Sequence, residues 1–143
     1  MFTVAETILI ERDRAAVFAY LTDPANRSRW DTSVISEEIT SEPPVRPGTT
    51  LRTRMRVMGR EVEYDWRVTH FEPPIVMAAR SSAGIMPTTL RFDFSERGEA
   101  CHVRAEIEAS PGGMLRFVEP VVADTVRSTL AQGLARAKAQ LEA

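Results

Sequence analysis

The feature of this sequence that most restricts its fold is a regular apolar stripe near the C-terminus. Apolar residues recur at spacings of three and four between Met114 and Leu141, which is the pattern of one side of an α-helix. Pro120 predicts either a kink or the first turn of that helix. A helix of this kind needs an apolar surface to lie on. The stripe consists of Leu115, Val118, Val122, Val126, Leu130, Leu134, Ala137 and Leu141.

The residues before the stripe predict that surface as an antiparallel sheet. Alternating apolar and polar residues between turn-forming residues indicate seven strands. Asp13 and Pro24 begin two short helices after the first strand, and the second helix ends at Trp30, which we expect to pack the helices onto the sheet. The predicted strands are Phe2–Ile10, Ser33–Ile39, Thr49–Val57, Arg60–Phe71, Ile75–Ser81, Thr88–Ser95 and Ala100–Ala109.

Two hairpins show their pairing register in the sequence itself. A turn at Met58-Gly59 places charged residues opposite one another on one face and apolar residues on the other. A turn at Gly98-Glu99 separates the last two strands in the same way. The first hairpin has the predicted pairs Arg56–Glu61, Arg54–Glu63, Arg52–Asp65, Met55–Val62, Thr53–Tyr64 and Leu51–Trp66, and the second has Asp93–Arg104, Arg91–Glu106, Phe94–Val103, Phe92–Ala105 and Leu90–Ile107.

Composition limits the compartment and the partners. The 143 residues carry a formal net charge of −2 and one cysteine, Cys101. The length predicts one domain over residues 1–143, and the balance of charges argues against nucleic acid as a partner. A signal-peptide pattern and an apolar run of about 20 residues are both missing, so we expect a cytoplasmic protein without stable membrane insertion. Metal-ligand spacings and a phosphate-binding glycine loop are missing too, and no cofactor is expected.

The order of these elements resembles the START-like, or SRPBCC, superfamily, and within it the polyketide cyclase/dehydrase-like group. The residues that carry the resemblance are Ala16–Pro24 followed by Trp30, Pro47-Gly48, Phe71–Pro74 and the terminal helix. The resemblance implies an α+β helix-grip fold, in which a curved antiparallel sheet of about six to seven strands wraps around a long C-terminal helix. It also implies a hydrophobic cavity between the sheet and that helix.

The inward faces of the sheet and the helix supply the candidate site residues. A largely apolar cavity with a few polar groups is the usual form of a small-molecule site. Loops at one end of the sheet carry apolar residues that either surround the cavity mouth or fold back as a plug over a filled core. The candidate ligand-binding residues are Thr53, Met55, Tyr64, Trp66, Thr88, Phe92, Val122 and Val126, and the candidate mouth residues are Met58, Ile85, Met86 and Met114.

Tyr64, His70 and Arg80 are the candidate catalytic residues. His70 shares the parity of Tyr64 along its strand, and it is either a buried histidine bonded to the backbone or an acid–base group. The register of Arg80 is open by one residue. Its side chain therefore points either to solvent or into the cavity, where it would anchor a carboxylate or phenolate.

Three functions fit these features, and we expect a monomer or a homodimer in each case. The first is the binding of a small hydrophobic molecule, such as a lipid, polyketide or aromatic compound, in the cavity. The second, implied by the resemblance, is an enzyme of the aromatase/cyclase kind that folds a poly-β-keto chain. The third is an interaction module like the co-chaperones of the superfamily, with the methionine-rich loops as its contact surface.

Overall fold

A computed structural model describes all 143 residues as a seven-stranded antiparallel sheet with three α-helices. The spatial order of the strands is β1-β7-β6-β5-β4-β3-β2, so that the chain meanders from β2 to β7 and β1 pairs with β7. The predicted helix-grip fold is confirmed. The strands are β1 Phe2–Ile10, β2 Val34–Ile39, β3 Thr50–Val57, β4 Arg60–Glu72, β5 Val76–Ala83, β6 Thr88–Arg97 and β7 Ala100–Ala109, and the helices are α1 Arg14–Thr22, α2 Arg27–Trp30 and α3 Glu119–Glu142.

The start of the long helix shows how Pro120 is accommodated. A 3₁₀ segment, Gly113–Val118, precedes α3, and Pro120 lies in the first turn of α3. An N–H group at this position has no partner within a helix, so the proline removes no hydrogen bond. Of the two alternatives for Pro120, the first-turn position is correct. None of the three helices combines the length and the apolar composition that a membrane span requires.

Trp30 joins α2 to both α3 and the sheet. Its side chain is almost fully buried, and its ring lies 6.1 Å from that of Phe92, measured between centroids. A Cβ atom at Gly133 of α3 would approach the Trp30 ring to 3.2 Å. Gly133 therefore lets the helix lie this close to the tryptophan, at a cost in helix propensity of about 1 kcal/mol. The predicted packing role of Trp30 is confirmed.

Both hairpin registers that the charge pattern predicts are present. β3 and β4 form all six predicted pairs, and β6 and β7 form all five. Met58 and Gly59 have φ angles of +51° and +80°, as a two-residue type I′ turn requires. The charged side chains share the outer face of the sheet, and the apolar ones face α3 and the short helices.

A β-bulge in β4 reverses the direction of the side chains near the end of that strand. The pairing of β4 with β5 skips one residue between Val68 and His70, which leaves Thr69 as the extra residue. Phe71 consequently faces the core, with its ring 5.4 Å from that of Phe18. His70 is exposed, and its Nδ1 atom lies 3.1 Å from the Thr69 hydroxyl. The expected inward position of His70 is therefore wrong, because strict alternation fails at the bulge.

Candidate functional site

A cavity lies between the inner face of the sheet and α3. Its volume is about 100 Å³, which is several times the space that one water molecule needs. Sixteen residues line it, and nine of these are hydrophobic, so the walls are mainly apolar. The floor includes Tyr64, Trp66, Met86 and Leu90, the roof is Thr125, Val126, Thr129 and Leu130 of α3, and one end is formed by Arg27, Asp31 and Ser33.

The exposure of the lining residues shows where the cavity opens. Tyr64, Trp66 and the other floor residues are buried. Met55 and Val57 on β3 are partly exposed, and so are Thr125 and Thr129 on α3. The opening therefore lies between the end of β3 and the first half of α3.

Tyr64 and Trp66 form the aromatic part of the floor. Their rings are nearly parallel, with an interplanar angle of 17° and a centroid distance of 5.2 Å. A Cβ atom at Gly84 would lie 2.6 Å from the Tyr64 ring, so the backbone of Gly84 lies directly against that ring. At this distance the two rings stack on each other, and together they present an apolar aromatic surface against which another planar ring can pack.

The Tyr64 hydroxyl is a weakly bonded polar group in this floor. It lies 3.5 Å from Thr88 Oγ1, beyond the usual range for a hydrogen bond between two hydroxyls. Thr88 donates its own proton to the Met86 carbonyl at 2.9 Å, so Tyr64 can only donate to it. Burial raises the pKa of Tyr64, and the contacts with Thr88 and Met86 partly oppose this rise. At neutral pH Tyr64 is therefore an uncharged group with a proton to donate.

A largely buried ion pair, with side chains 14% and 11% exposed, closes one end of the cavity. Arg27 donates from Nε and Nη2 to Asp31 Oδ2, at 3.1 and 3.0 Å. Ser33 donates from its backbone N–H and its hydroxyl to Asp31 Oδ1, at 3.0 and 2.6 Å. Burial lowers the pKa of Arg27, but the charges of Asp31 and Glu37 outweigh this effect and the net shift is upward. Asp31 thus accepts four hydrogen bonds, and it neutralises the one buried cation of the lining.

Five of the eight candidate ligand-binding residues line the cavity, and three do not. Thr53 is buried and donates its proton to Glu37 Oε2 at 2.7 Å. Phe92 is fully buried and packs against Trp30, while Val122 packs in a small cluster with Met86. Neighbouring side chains fill the space in front of these three. The five that line the cavity are Met55, Tyr64, Trp66, Thr88 and Val126.

Of the four candidate mouth residues, Met86 alone lines the cavity. It is buried, as the plug alternative predicts. Met58, Ile85 and Met114 are 44%, 39% and 83% exposed, and they lie outside the lining. Met58 directly follows the lining residue Val57, and the part of these three residues in ligand entry stays a prediction.

Of the three candidate catalytic residues, only Tyr64 reaches the cavity. Arg80 is exposed on the outer face of the sheet, directly opposite Arg67 of β4. The inward alternative for Arg80 is therefore wrong, and His70 lies on the outside beyond the bulge. The arginine that reaches the interior is Arg27 of α2.

Apart from Tyr64 and Thr88, the polar groups of the cavity were not among the site residues predicted from the sequence. Arg27 and Asp31 are four residues apart on either side of Trp30, a spacing that places two side chains on one side of a helix. Thr125 and Thr129 are also four apart and flank the apolar stripe of α3. These spacings were the only sign in the sequence that the four residues share a site, and such spacings are equally typical of a helix surface that faces water.

Comparison with known families decides the relationship of the chain. The family described as "Polyketide cyclase / dehydrase and lipid transport" matches residues 1–142. The chain belongs to this family. The predicted START-like resemblance is thereby confirmed over essentially the whole sequence.

Solved structures that resemble this family member share its fold at low sequence identity. A START superfamily protein from Mycobacterium smegmatis is 17% identical, with a TM-score of 0.80, and the match covers 98% of this chain and 97% of that chain. The ZhuI aromatase/cyclase from Streptomyces sp. R1128 is 13% identical, with a TM-score of 0.80, and the match covers 99% and 93% of the two chains. Among proteins with curated descriptions, none matches the sequence. Identities this low show a shared fold.

Proposed function

We propose that this protein binds a small planar hydrophobic molecule in the cavity between the sheet and α3. The observation that carries the proposal is the stacked pair of Tyr64 and Trp66 at the floor of an apolar cavity that opens to solvent. A ring placed on this pair would lie beneath Val126 and Leu130 of α3. At about 25 cal/mol per Å², the burial of about 200 Å² of apolar ligand surface contributes about 5 kcal/mol before the costs of association.

The family relationship supports a hydrophobic ligand and leaves its identity open. The family description names polyketide cyclases and lipid transport, and one structural neighbour is an aromatase/cyclase. Both descriptions fit a largely apolar ligand. The small volume and the aromatic floor of this cavity favour a compact ring system over a long acyl chain.

Catalysis of the aromatase/cyclase kind is the second candidate, and the Tyr64 hydroxyl favours it. A neutral phenol in an apolar cavity can donate a hydrogen bond to a developing enolate oxygen. Ring closure by aldol addition also requires a base that removes a proton from carbon. Asp31 is the only carboxylate in the lining, and it is held by Arg27 and Ser33. The geometry therefore supports binding better than catalysis.

Val126→Phe tests the proposed site. Val126 lines the cavity and is partly exposed, so a phenyl ring at this position should fill the space above Trp66. The affinity for 2-naphthol, measured by calorimetry, should fall at least about tenfold, which corresponds to about 1.4 kcal/mol. Val121→Phe is the matched control, because Val121 lies on the same helix, is 54% exposed and does not line the cavity. Equal affinities of the two variants would contradict the proposal.

Native mass spectrometry of the purified protein tests the same proposal without a chosen ligand. The wild-type protein should carry an added mass that disappears on denaturation, and Val126→Phe should carry less of it. A bare mass that persists after incubation with 2-naphthol, fatty acids and quinones would argue for a non-binding role. Incubation with a poly-β-keto substrate tests the second candidate, which fails if Tyr64→Phe leaves the products unchanged.

A further inference from the structure

The hydroxyl groups of the cavity restrict the polar groups of the ligand. Ser33 donates its proton to Asp31 at 2.6 Å, and Thr125 donates its proton to the Val121 carbonyl at 2.9 Å. A hydroxyl whose hydrogen is already used in a hydrogen bond still has free lone pairs, so it can only accept a hydrogen bond from a ligand. Ser33 and Thr125 therefore require a ligand that brings a donor of its own.

Two further groups can donate to the same ligand. Arg27 uses Nε and Nη2 for Asp31, and its Nη1 atom makes no hydrogen bond within the chain. Among side chains, the Tyr64 hydroxyl contacts Thr88 alone, at the long distance of 3.5 Å. A ligand hydroxyl can therefore donate to the oxygen of Ser33 or Thr125 and also accept from Arg27 or Tyr64.

The charges at the polar end of the cavity oppose an anionic ligand. Arg27 is the one buried cation, and Asp31 already neutralises it. Glu37 lies beside Arg27 in the wall of a smaller adjoining cavity and adds a second negative charge. Arg56 also contributes to the lining, but it is exposed, where water and salt screen its charge. A ligand carboxylate would thus be a third anion beside one buried cation, in a place where it also loses its hydration.

We propose that the cavity selects an uncharged, hydroxyl-bearing aromatic compound over the corresponding carboxylate, and that Asp31 determines this choice. The inference rests on the proposed function. Asp31 acts in two ways, since it neutralises Arg27 and it accepts a hydrogen bond from the Ser33 hydroxyl, which leaves the Ser33 oxygen only an acceptor for the ligand. Asp31 is a specificity-determining residue in this scheme and takes no part in covalent chemistry.

A pair of ligands with one ring system tests the inference. At neutral pH 2-naphthol is uncharged and 2-naphthoate is an anion. Calorimetry on the wild-type protein should show at least about tenfold tighter binding of 2-naphthol. Asp31→Asn keeps the size of the side chain and removes its charge, so the ratio of the two affinities should shift toward 2-naphthoate by at least about tenfold. Asp93→Asn is the matched control, because Asp93 also pairs with an arginine, Arg91, but lies on the outer face of the sheet.

A measurement on the wild-type protein keeps the inference testable if Asp31→Asn does not fold. The affinity for 2-naphthoate should increase as the pH falls toward the pKa of this ligand, because the protonated acid is the preferred form. The affinity for 2-naphthol should stay constant over the same range. Wild-type protein that binds 2-naphthoate at least as tightly as 2-naphthol overturns the inference and leaves the proposed function standing. Protein that binds neither compound overturns both.

Discussion

The two ends of β6 show how one alternating pattern leads to a packed core at one end and a cavity at the other. Phe92 and Phe94 are almost fully buried, and the Phe94 ring lies 4.9 Å from that of Phe18 of α1. Thr88 and Leu90 occupy the same face of the same strand, yet both line the cavity. Side-chain direction is therefore the same at both ends, and the difference comes from what lies above the sheet.

The short helices and the long helix cover the sheet in different ways. α1 and the end of α2 bring large rings over one end of β6, where Phe18 and Trp30 meet the phenylalanines. The first half of α3 brings Thr125, Val126 and Thr129 over the other end, and these side chains are too short to fill the space. A sheet face that looks uniform in sequence thus becomes a core or a binding site according to the residues opposite it.

The largest effect should appear when the packed end is opened. Phe92→Ala should lower the free energy of unfolding by about 3–5 kcal/mol, because the surrounding side chains cannot fill the space of a fully buried ring. Tyr64→Ala should cost less, because the Tyr64 ring already borders a cavity. Chemical denaturation of both variants measures the difference. Equal losses would mean that the two ends are packed alike.

A smaller effect should follow when the cavity end is crowded. Gly84→Ala places a Cβ atom where it would be 2.6 Å from the Tyr64 ring, so the ring must move away from Gly84 and disturb its stacking on Trp66. We expect a loss of about 1–3 kcal/mol in unfolding free energy and weaker binding of 2-naphthol. Gly112→Ala is the control, because a Cβ atom there meets nothing within 4 Å. Unchanged ligand binding in Gly84→Ala would show that the ring position does not limit the cavity.

The smallest effect concerns the protonation of Tyr64. Burial raises its pKa above the ordinary value of 10.0, so the unfolded chain loses this proton first as the pH rises. The contribution of the neutral, buried Tyr64 to the free energy of unfolding is fully present below about pH 10, and it is lost as the pH rises through the folded-state pKa. Tyr64→Phe should therefore lose less stability than the wild-type protein between neutral and alkaline pH. If the free energy of unfolding depends on pH identically in the wild-type protein and in Tyr64→Phe, the Tyr64 hydroxyl is exposed to water and the account is contradicted.

The strands and both hairpin registers could be predicted from the sequence, because charged and apolar residues alternate without interruption there. A slip of one residue would place Arg54 on the buried face, which the charge forbids. His70 could not be placed, since the bulge at Thr69 shifts the alternation without any glycine or proline to mark it. The direction of the Arg80 side chain could not be predicted either, because its strand begins after a proline turn that leaves the register open by one residue.

The polar end of the cavity depends on contacts between elements that are distant in sequence. Arg27 lies in a four-residue helix, and its neighbours Glu37 and Trp66 come from β2 and β4. Local patterns predict the face of an element, but they do not show which faces meet. The aromatic floor was predictable from the register of β4, whereas the ion pair required the packed structure.

The proposed binding site is tested most directly by a crystal structure of the protein with 2-naphthol. The ring should lie on the Tyr64–Trp66 surface beneath Val126 and Leu130, with its hydroxyl within hydrogen-bond distance of Ser33 or Thr125. A contradictory result would be 2-naphthol bound on the exposed residues Met114 and Phe117, which are 83% and 74% exposed, while side chains of the protein itself fill the cavity.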